Sequence, residues 1–287
     1  MQLNRGPEFA KGNGTENDFL ILPDPAGELN LTPARVRALC DRRRGLGADG
    51  VLRVVRTGDI DDAPAGIPAR TWFMDYRNAD GSIAEMCGNG VRVFARYLVG
   101  TGLAETSSEQ PELPIGTRAG LRTVSTHPDG QVSVDMGPAT VHGESSATVD
   151  GSSRKGLAVD VGNPHLACVV QEGLERVDLS AVPHYDAELF TNGVNIELVQ
   201  DDGPGRVRMR VHERGVGETR SCGTGTVAAA VASLHADGHP TGRRIVEVPG
   251  GTVEVEVTAR TSVLTGPAVL VGHGRLDADW WQRLDQP

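Results

Sequence analysis

The stretch Asp135-Met-Gly-Pro-Ala-Thr-Val141 returns 129 residues later as Leu264-Thr-Gly-Pro-Ala-Val-Leu270. Each copy follows two β-branched runs joined by a turn, Pro128-Asp129-Gly130 in the first case and Pro249-Gly250-Gly251 in the second. A second pair repeats at nearly the same offset: Met86-Cys-Gly-Asn-Gly-Val91 and Ser221-Cys-Gly-Thr-Gly-Thr226 lie 135 residues apart, cysteine to cysteine. Chance echoes need not share a period, so two unrelated motifs that do point to one half made twice. The boundary falls just before Asp135, and the tail after the second copy returns to the first half. This gives one half of residues 1–133 with 271–287, carrying Cys87, and another of 134–270, carrying Cys222.

Around these motifs the chain reads as alternating β-branched segments punctuated by Gly, Pro and Asp. Strands are expected at Phe19 to Leu22, Gly50 to Val55, Arg70 to Asp75, Leu121 to Thr126, Val132 to Met136, Leu157 to Val161 and Leu166 to Val170. Others are expected at Gly193 to Gln200, Arg206 to His212, Ile245 to Val248, Thr252 to Thr258 and Ser262 to Thr265. Thr32 followed by Pro33 opens a helix through Asp41, as an N-cap before a first-turn proline should. Further helices are expected from about Gly90 to Leu98 and from Thr224 to Ala236, with a short one near Asp178 to Val182. Segments 57–68 and 103–118 read as loops.

Composition narrows the function classes. At 287 residues the chain can bury two ordinary cores, and 37 Gly with 17 Pro imply many turns. A net charge of −10 with scattered basic residues lacks the footprint of a nucleic-acid binder. No apolar run approaches the roughly 20 residues of a membrane span, and no signal core is visible, so a soluble cytoplasmic protein is expected. The only lysines are Lys11 and Lys155, neither in a phosphate-binding context, which disfavours a pyridoxal-phosphate Schiff base. The four cysteines show no C-x-x-C spacing, so no metal site is expected. Cys40 and Cys168 sit in apolar surroundings and read as small buried hydrophobes.

Cys87 and Cys222 are different. Each opens Cys-Gly-x-Gly and leads directly into an apolar helix. A thiol there meets unpaired backbone N–H groups and the positive helix end, which favour a thiolate near neutral pH. The glycines let a ligand approach the backbone, so the same turn can cradle a carboxylate. Two such thiols on opposite sides of one cleft suit removal of a proton from one face of a carbon and its return on the other, one cysteine acting as thiolate and its partner as thiol. Charge developing α to a carboxylate would be stabilised by the two helix N-termini without metal or cofactor. A disulfide between the two is the competing reading.

Seven stretches then carry a likeness to a known family. They are Gly14-Thr-Glu-Asn-Asp-Phe19, Gly45-Leu-Gly-Ala-Asp-Gly50, Asn78-Ala-Asp-Gly-Ser82, Cys87-Gly-Asn-Gly-Val-Arg92, Gly162-Asn-Pro-His165, Gly193-Val-Asn195, and Glu213-Arg-Gly-Val-Gly-Glu-Thr219 with Cys222-Gly-Thr-Gly225. In this order they resemble the diaminopimelate epimerases, in a wording of actinobacterial type. The resemblance implies an α/β (α+β) fold of two pseudo-symmetric domains, each a mixed barrel-like sheet around a central helix. It also implies a homodimer, with the active site in the cleft between the domains and no pyridoxal phosphate. The implied substrate is diaminopimelate, interconverted between its LL and meso forms for lysine and peptidoglycan synthesis.

By the same resemblance Cys87 and Cys222 are the catalytic thiols. Gly88, Asn89, Gly223 and Thr224 donate backbone N–H groups to the carboxylate at the reacting centre. Asn17, Asn78, Asn163, Asn195, Glu213 and Arg214 hold the substrate. Arg214 offers a fork to the distal carboxylate, and Glu213 accepts from an ammonium. His165 and Glu213 are placed to bias thiol ionisation. Two positions depart from the family pattern: Asn13 stands where a histidine is common, and Gly50 where some members carry a substrate-contacting glutamine. A proline or hydroxyproline racemase would have no use for Asn78, Asn163, Asn195 and Arg214 together. A cysteine hydrolase with His165 as base would leave the second Cys-Gly-x-Gly unexplained. An amino-acid-binding module would tolerate loss of both thiols.

Overall fold

The computed structural model describes residues 5–107 and 110–284, so residues 108–109 of the expected loop and the extreme ends of the first half lie outside the described residues. The chain divides into two compact units, residues 1–132 with 267–287 and residues 133–266.

The first unit contains β1 (Arg5–Gly14), β2 (Asn17–Pro23), α1 (Pro33–Cys40), β3 (Gly50–Arg56), β4 (Trp72–Asn78), α2 (Gly88–Gly100), β5 (Glu112–Thr117) and β6 (Gly120–Thr126). At the chain's end β18 (Val269–Asp277) and α4 (Ala278–Arg283) join them. β18 pairs with β1, β1 with β2, β3 with β4 and β5 with β6, all antiparallel, while β2–β3 and β4–β5 are parallel. Thr32 caps α1 by accepting from the Arg35 N–H at 3.3 Å.

The second unit begins with β7 (Gln131–Gly137), β8 (Thr140–Val149), β9 (Ser152–Asp160), β10 (Pro164–Val170), β11 (His184–Tyr185) and β12 (Asn195–Asp201). It continues with β13 (Arg206–Glu213), β14 (Gly217–Thr219), α3 (Gly223–Ala236), β15 (Gly242–Val248), β16 (Gly251–Val257) and β17 (Ser262–Pro267). Along β9, β10, β12, β13, β15 and β16 the pairings run antiparallel, parallel, antiparallel, parallel, antiparallel. That is the order of β1 to β6, and in both units the long helix sits between the fourth and fifth strands of the series. The two halves are therefore one topology repeated. The strands that carry the echoed Gly-Pro-Ala motif, β7 and β17, pair with each other, Ser133 Oγ lying 2.7 Å from Thr265 Oγ1.

Each sheet wraps its helix. α2 touches β1 to β6 and β18, and α3 touches β9, β10, β12, β13, β15 and β16. Val91, Val93, Phe94 and Leu98 of α2 are fully buried, as are Val227, Ala228, Ala229 and Ala230 of α3. The buried faces of both helices need strands against them, and the curved mixed sheet supplies them, leaving Arg96 of α2 exposed.

Some expectations fail. No helix forms at 178–182; a 3-10 turn at Leu174–Arg176 precedes extended chain there. The expected loop 103–118 contains β5, whose Pro114 hides its strand character. The sequence pattern does not predict β1, β8, β11, β14, β18 or α4. β8 is mostly exposed, and β1 and β18 are broken by glycines, so neither period 2 nor apolar content marks them. No described helix is long and apolar enough to cross a membrane.

Candidate active site

In both units the cysteine is the residue at which extended chain becomes helix. Cys87 (φ −145°, ψ 119°) caps α2 and Cys222 (φ −126°, ψ 117°) caps α3, so each thiol stands beside first-turn N–H groups that have no intrahelical partner. Among these are the amides of Gly88 and Asn89, and of Gly223 and Thr224. No disulfide joins the cysteines among the described residues.

Around Cys87 the sequence-selected residues converge. Asn17 opens β2, directly after a two-residue turn in which Thr15 (φ 50°) and Glu16 (φ 62°) both adopt left-handed backbone. That turn brings Asn17 Oδ1 to 3.6 Å from Cys87 Sγ and 3.3 Å from Asn89 Nδ2. Asn17 Nδ2 donates to Asp49 Oδ2 at 2.8 Å. Asp49 is held by Arg42, which also binds Asp18. Beneath the turn lies Arg92, fully buried, donating to Thr15 Oγ1 at 3.2 Å and to the Pro267 carbonyl at 3.3 Å. Burial draws its guanidinium down to about 10, against the opposing pull of Cys87. Asn78 ends β4 opposite Gly50, and its amide donates to Ser82 Oγ at 3.0 Å rather than to the cysteine cluster. A side chain at Gly50 would collide with the Arg77 carbonyl at 2.6 Å and the Tyr76 ring at 2.7 Å, so the glutamine of other sequences has no counterpart on this backbone.

Around Cys222 the partners differ. Its sulfur accepts from the Gly225 N–H at 3.4 Å and lies 3.6 Å from Thr224 Oγ1. The expected stabilisation of a thiolate by the helix start is outweighed here. Burial, with the Glu213 and Glu197 carboxylates, pushes the Cys222 thiol well above the usual range, and Thr224 and Gly225 offset this only in part. Glu213 accepts from the Thr219 hydroxyl across the β13–β14 hairpin. The Arg214 backbone N–H donates to Asn195 Oδ1 at 2.9 Å, and the Arg214 guanidinium donates to the Asn192 carbonyl at 2.6 Å. His165 does not bond to a thiol; it joins Asn163 Oδ1 (3.0 Å) to Glu197 Oε1 (2.6 Å).

Glu197 is the residue sequence reasoning missed. It is fully buried, its Oε2 has no partner among the described residues, and it stands two residues after Asn195 on the same face of β12. An acidic residue inside the apolar run Ile196-Glu-Leu-Val199 was the available signal. Arg92, quoted as part of a motif, likewise gave no hint from sequence that it would be wholly buried.

A sequence model of the family described as diaminopimelate epimerase matches residues 9–142 and 157–271. Relatives named diaminopimelate epimerase include those of Mycolicibacterium smegmatis, 56% identical over 96% of this chain and 99% of the relative, and Rhodococcus erythropolis, 54% identical over 96% and 98%. Among solved structures, a hydroxyproline epimerase from Agrobacterium vitis superposes with a TM-score of 0.64 at 17% identity, covering 98% of this chain and 95% of its own. A predicted epimerase from Pseudomonas aeruginosa gives 0.66 at 14% identity, covering 94% and 99%. These structural likenesses show the fold, and the sequence matches show more: the chain belongs to the diaminopimelate epimerase family.

Proposed function

We propose that the chain interconverts LL- and meso-2,6-diaminopimelate by a two-thiol mechanism that uses neither pyridoxal phosphate nor metal. The observation that carries this reading is the repeated placement of a cysteine at the N-cap of a buried helix, once in each half, in a chain of this family. One cysteine, as thiolate, takes the α-proton, and the other, as thiol, delivers a proton to the opposite face. In the reverse direction the roles exchange. The first-turn amides of Gly88, Asn89, Gly223 and Thr224 receive the α-carboxylate and the charge that develops on it. Asn17, Asn78, Asn163 and Asn195, with Glu213 and Arg214, recognise the remaining ammonium and carboxylate groups, Arg214 through its bidentate fork. The enzyme acts in the cytoplasm as a homodimer.

Cys87→Ala and Cys222→Ala each remove one proton-transfer group and are expected to lower the inversion rate at least about 10³-fold, the worth of a positioned acid or base. Purified variants are assayed with LL-diaminopimelate under reducing conditions without added cofactor. Near-normal inversion by either single variant would contradict the two-thiol assignment.

A further inference from the structure

The duplication lets the halves be compared position by position. In the first, Phe19 of β2 lies opposite Gly50 of β3, with Leu52 two residues further on the same face. In the second, His165 of β10 lies opposite Asn195 of β12, with Glu197 two residues further on. The helices confirm the equivalence. A side chain on Gly90 would meet Leu52, Cys87 and Phe19, and one on Gly225 would meet Glu197 Oε1 at 2.8 Å and Cys222. An apolar pair in one half is thus an ionisable pair in the other, and all four residues are fully buried. Burying a histidine and a glutamate where the same topology accepts phenylalanine and leucine is costly, so the pair needs a functional reason.

That reason lies two residues upstream, where Asn17 and Asn163 occupy equivalent places. Asn17 gives its Nδ2 to Asp49 and turns its carbonyl oxygen toward Cys87. Asn163 does the reverse, with its Oδ1 3.0 Å from His165 Nε2. An amide oxygen only accepts, so Nε2 must carry a hydrogen. The other ring nitrogen, Nδ1, then faces Glu197 Oε1 at 2.6 Å across one shared proton. We propose that Glu197 is a positioning residue for substrate recognition: acting through His165, it fixes Asn163 with its carbonyl inward and its amide N–H groups free to donate.

The two asparagines then differ in polarity. The carbonyl of Asn17 suits an ammonium, and the amide N–H groups of Asn163 suit a carboxylate. Burial raises the Glu197 carboxyl above the usual range, with His165 opposing and Glu213 adding to the rise, in keeping with a carboxyl that retains a share of that proton. The substrate assignment rests on the epimerase reading; the position of the Nε2 hydrogen does not.

The direct test is ¹⁵N NMR of His165 in the full-length, substrate-free protein at neutral pH, with the signal assigned by its loss in His165→Phe. A protonated Nε2 is expected. A bare Nε2 would mean that Asn163 turns its NH₂ to the ring, and would overturn the proposal. In kinetics, Glu197→Leu, the residue at the equivalent first-half position, is expected to raise KM for diaminopimelate about tenfold with a smaller change in kcat, as loss of one oriented hydrogen bond should. Glu197→Gln, whose amide can still donate to Nδ1, stays within about threefold of the parent KM. A wild-type KM in Glu197→Leu would refute the positioning role. Failure of the parent enzyme to invert diaminopimelate would instead refute the epimerase reading and leave the NMR result to decide the Asn163 geometry.

Discussion

Cys222 and Cys87 have the same local backbone but not the same surroundings. Cys222 is buried beside two carboxylates, so its proton is held well above the usual thiol range. Because only the thiolate is nucleophilic, iodoacetamide should modify Cys222 slowly at pH 7 in the substrate-free protein, and the rate should climb steeply only above pH 9. Glu213→Gln removes one opposing charge and should speed that modification at fixed pH. Peptide mapping of the alkylated sites measures this, and an unchanged rate would separate Glu213 from the thiol. The thiols of Cys40 and Cys168, both pushed up to about 12 chiefly by burial, serve as unreactive references in the same map. The cysteines and asparagines were legible because Gly and Asn in fixed motifs declare a backbone need. Glu197 was not, because one acidic residue in an apolar strand has no local signature of its partner 32 residues away.

At the scale of elements, two charge clusters fix the strands that present the first half's residues. Alone, burial would raise the Asp18 carboxyl, but hydrogen bonds and charge from Arg42 and Lys11 outweigh it and hold Asp18 at about 2, against 3.8 for an unperturbed group. A carboxyl depressed in the folded state stabilises fully above the unfolded value and ceases to do so as pH falls through the folded one. Asp18→Asn should therefore cost about 2 kcal/mol at neutral pH and flatten the loss of stability between pH 4 and pH 2. Urea unfolding across that range is the check. On β4, the fully buried Asp75 meets Arg77 at 2.9 Å and Arg118 at 2.8 Å, with Arg53 at 3.6 Å. Asp75→Ala removes the carboxylate that Arg77 binds, while Arg53 keeps Asp24 and Arg118 keeps Asp62, and should destabilise by about 3 kcal/mol, read as a shifted denaturation midpoint. Elements with a buried face and a clean cap, such as α1, β3 and β10, could be read from sequence. Those whose pairing is long-range could not: β18 finds its partner β1 across the whole chain, and no local pattern specifies that pairing.

Across the whole molecule, one topology made twice accounts for both the likeness and the difference of the two thiols. Repetition supplies two helix-capping cysteines, and divergence within the repeat gives them different surroundings: Arg92 near one, Val227 at the equivalent helix position of the other, and Phe19 with Leu52 set against His165 with Glu197. The repeat was visible in sequence because Gly-Pro-Ala and Cys-Gly-x-Gly are constrained by backbone geometry. The divergence was visible only once strand register aligned the halves. The measurement that bears most directly on this account is a first-turnover analysis of LL-diaminopimelate in D₂O with the reduced enzyme and no added cofactor. Two thiols acting on opposite faces predict that the earliest meso product carries deuterium at the inverted carbon while the remaining LL substrate is still protiated. Early meso product that retains its original α-hydrogen would show one group returning the proton it took, and would contradict the account.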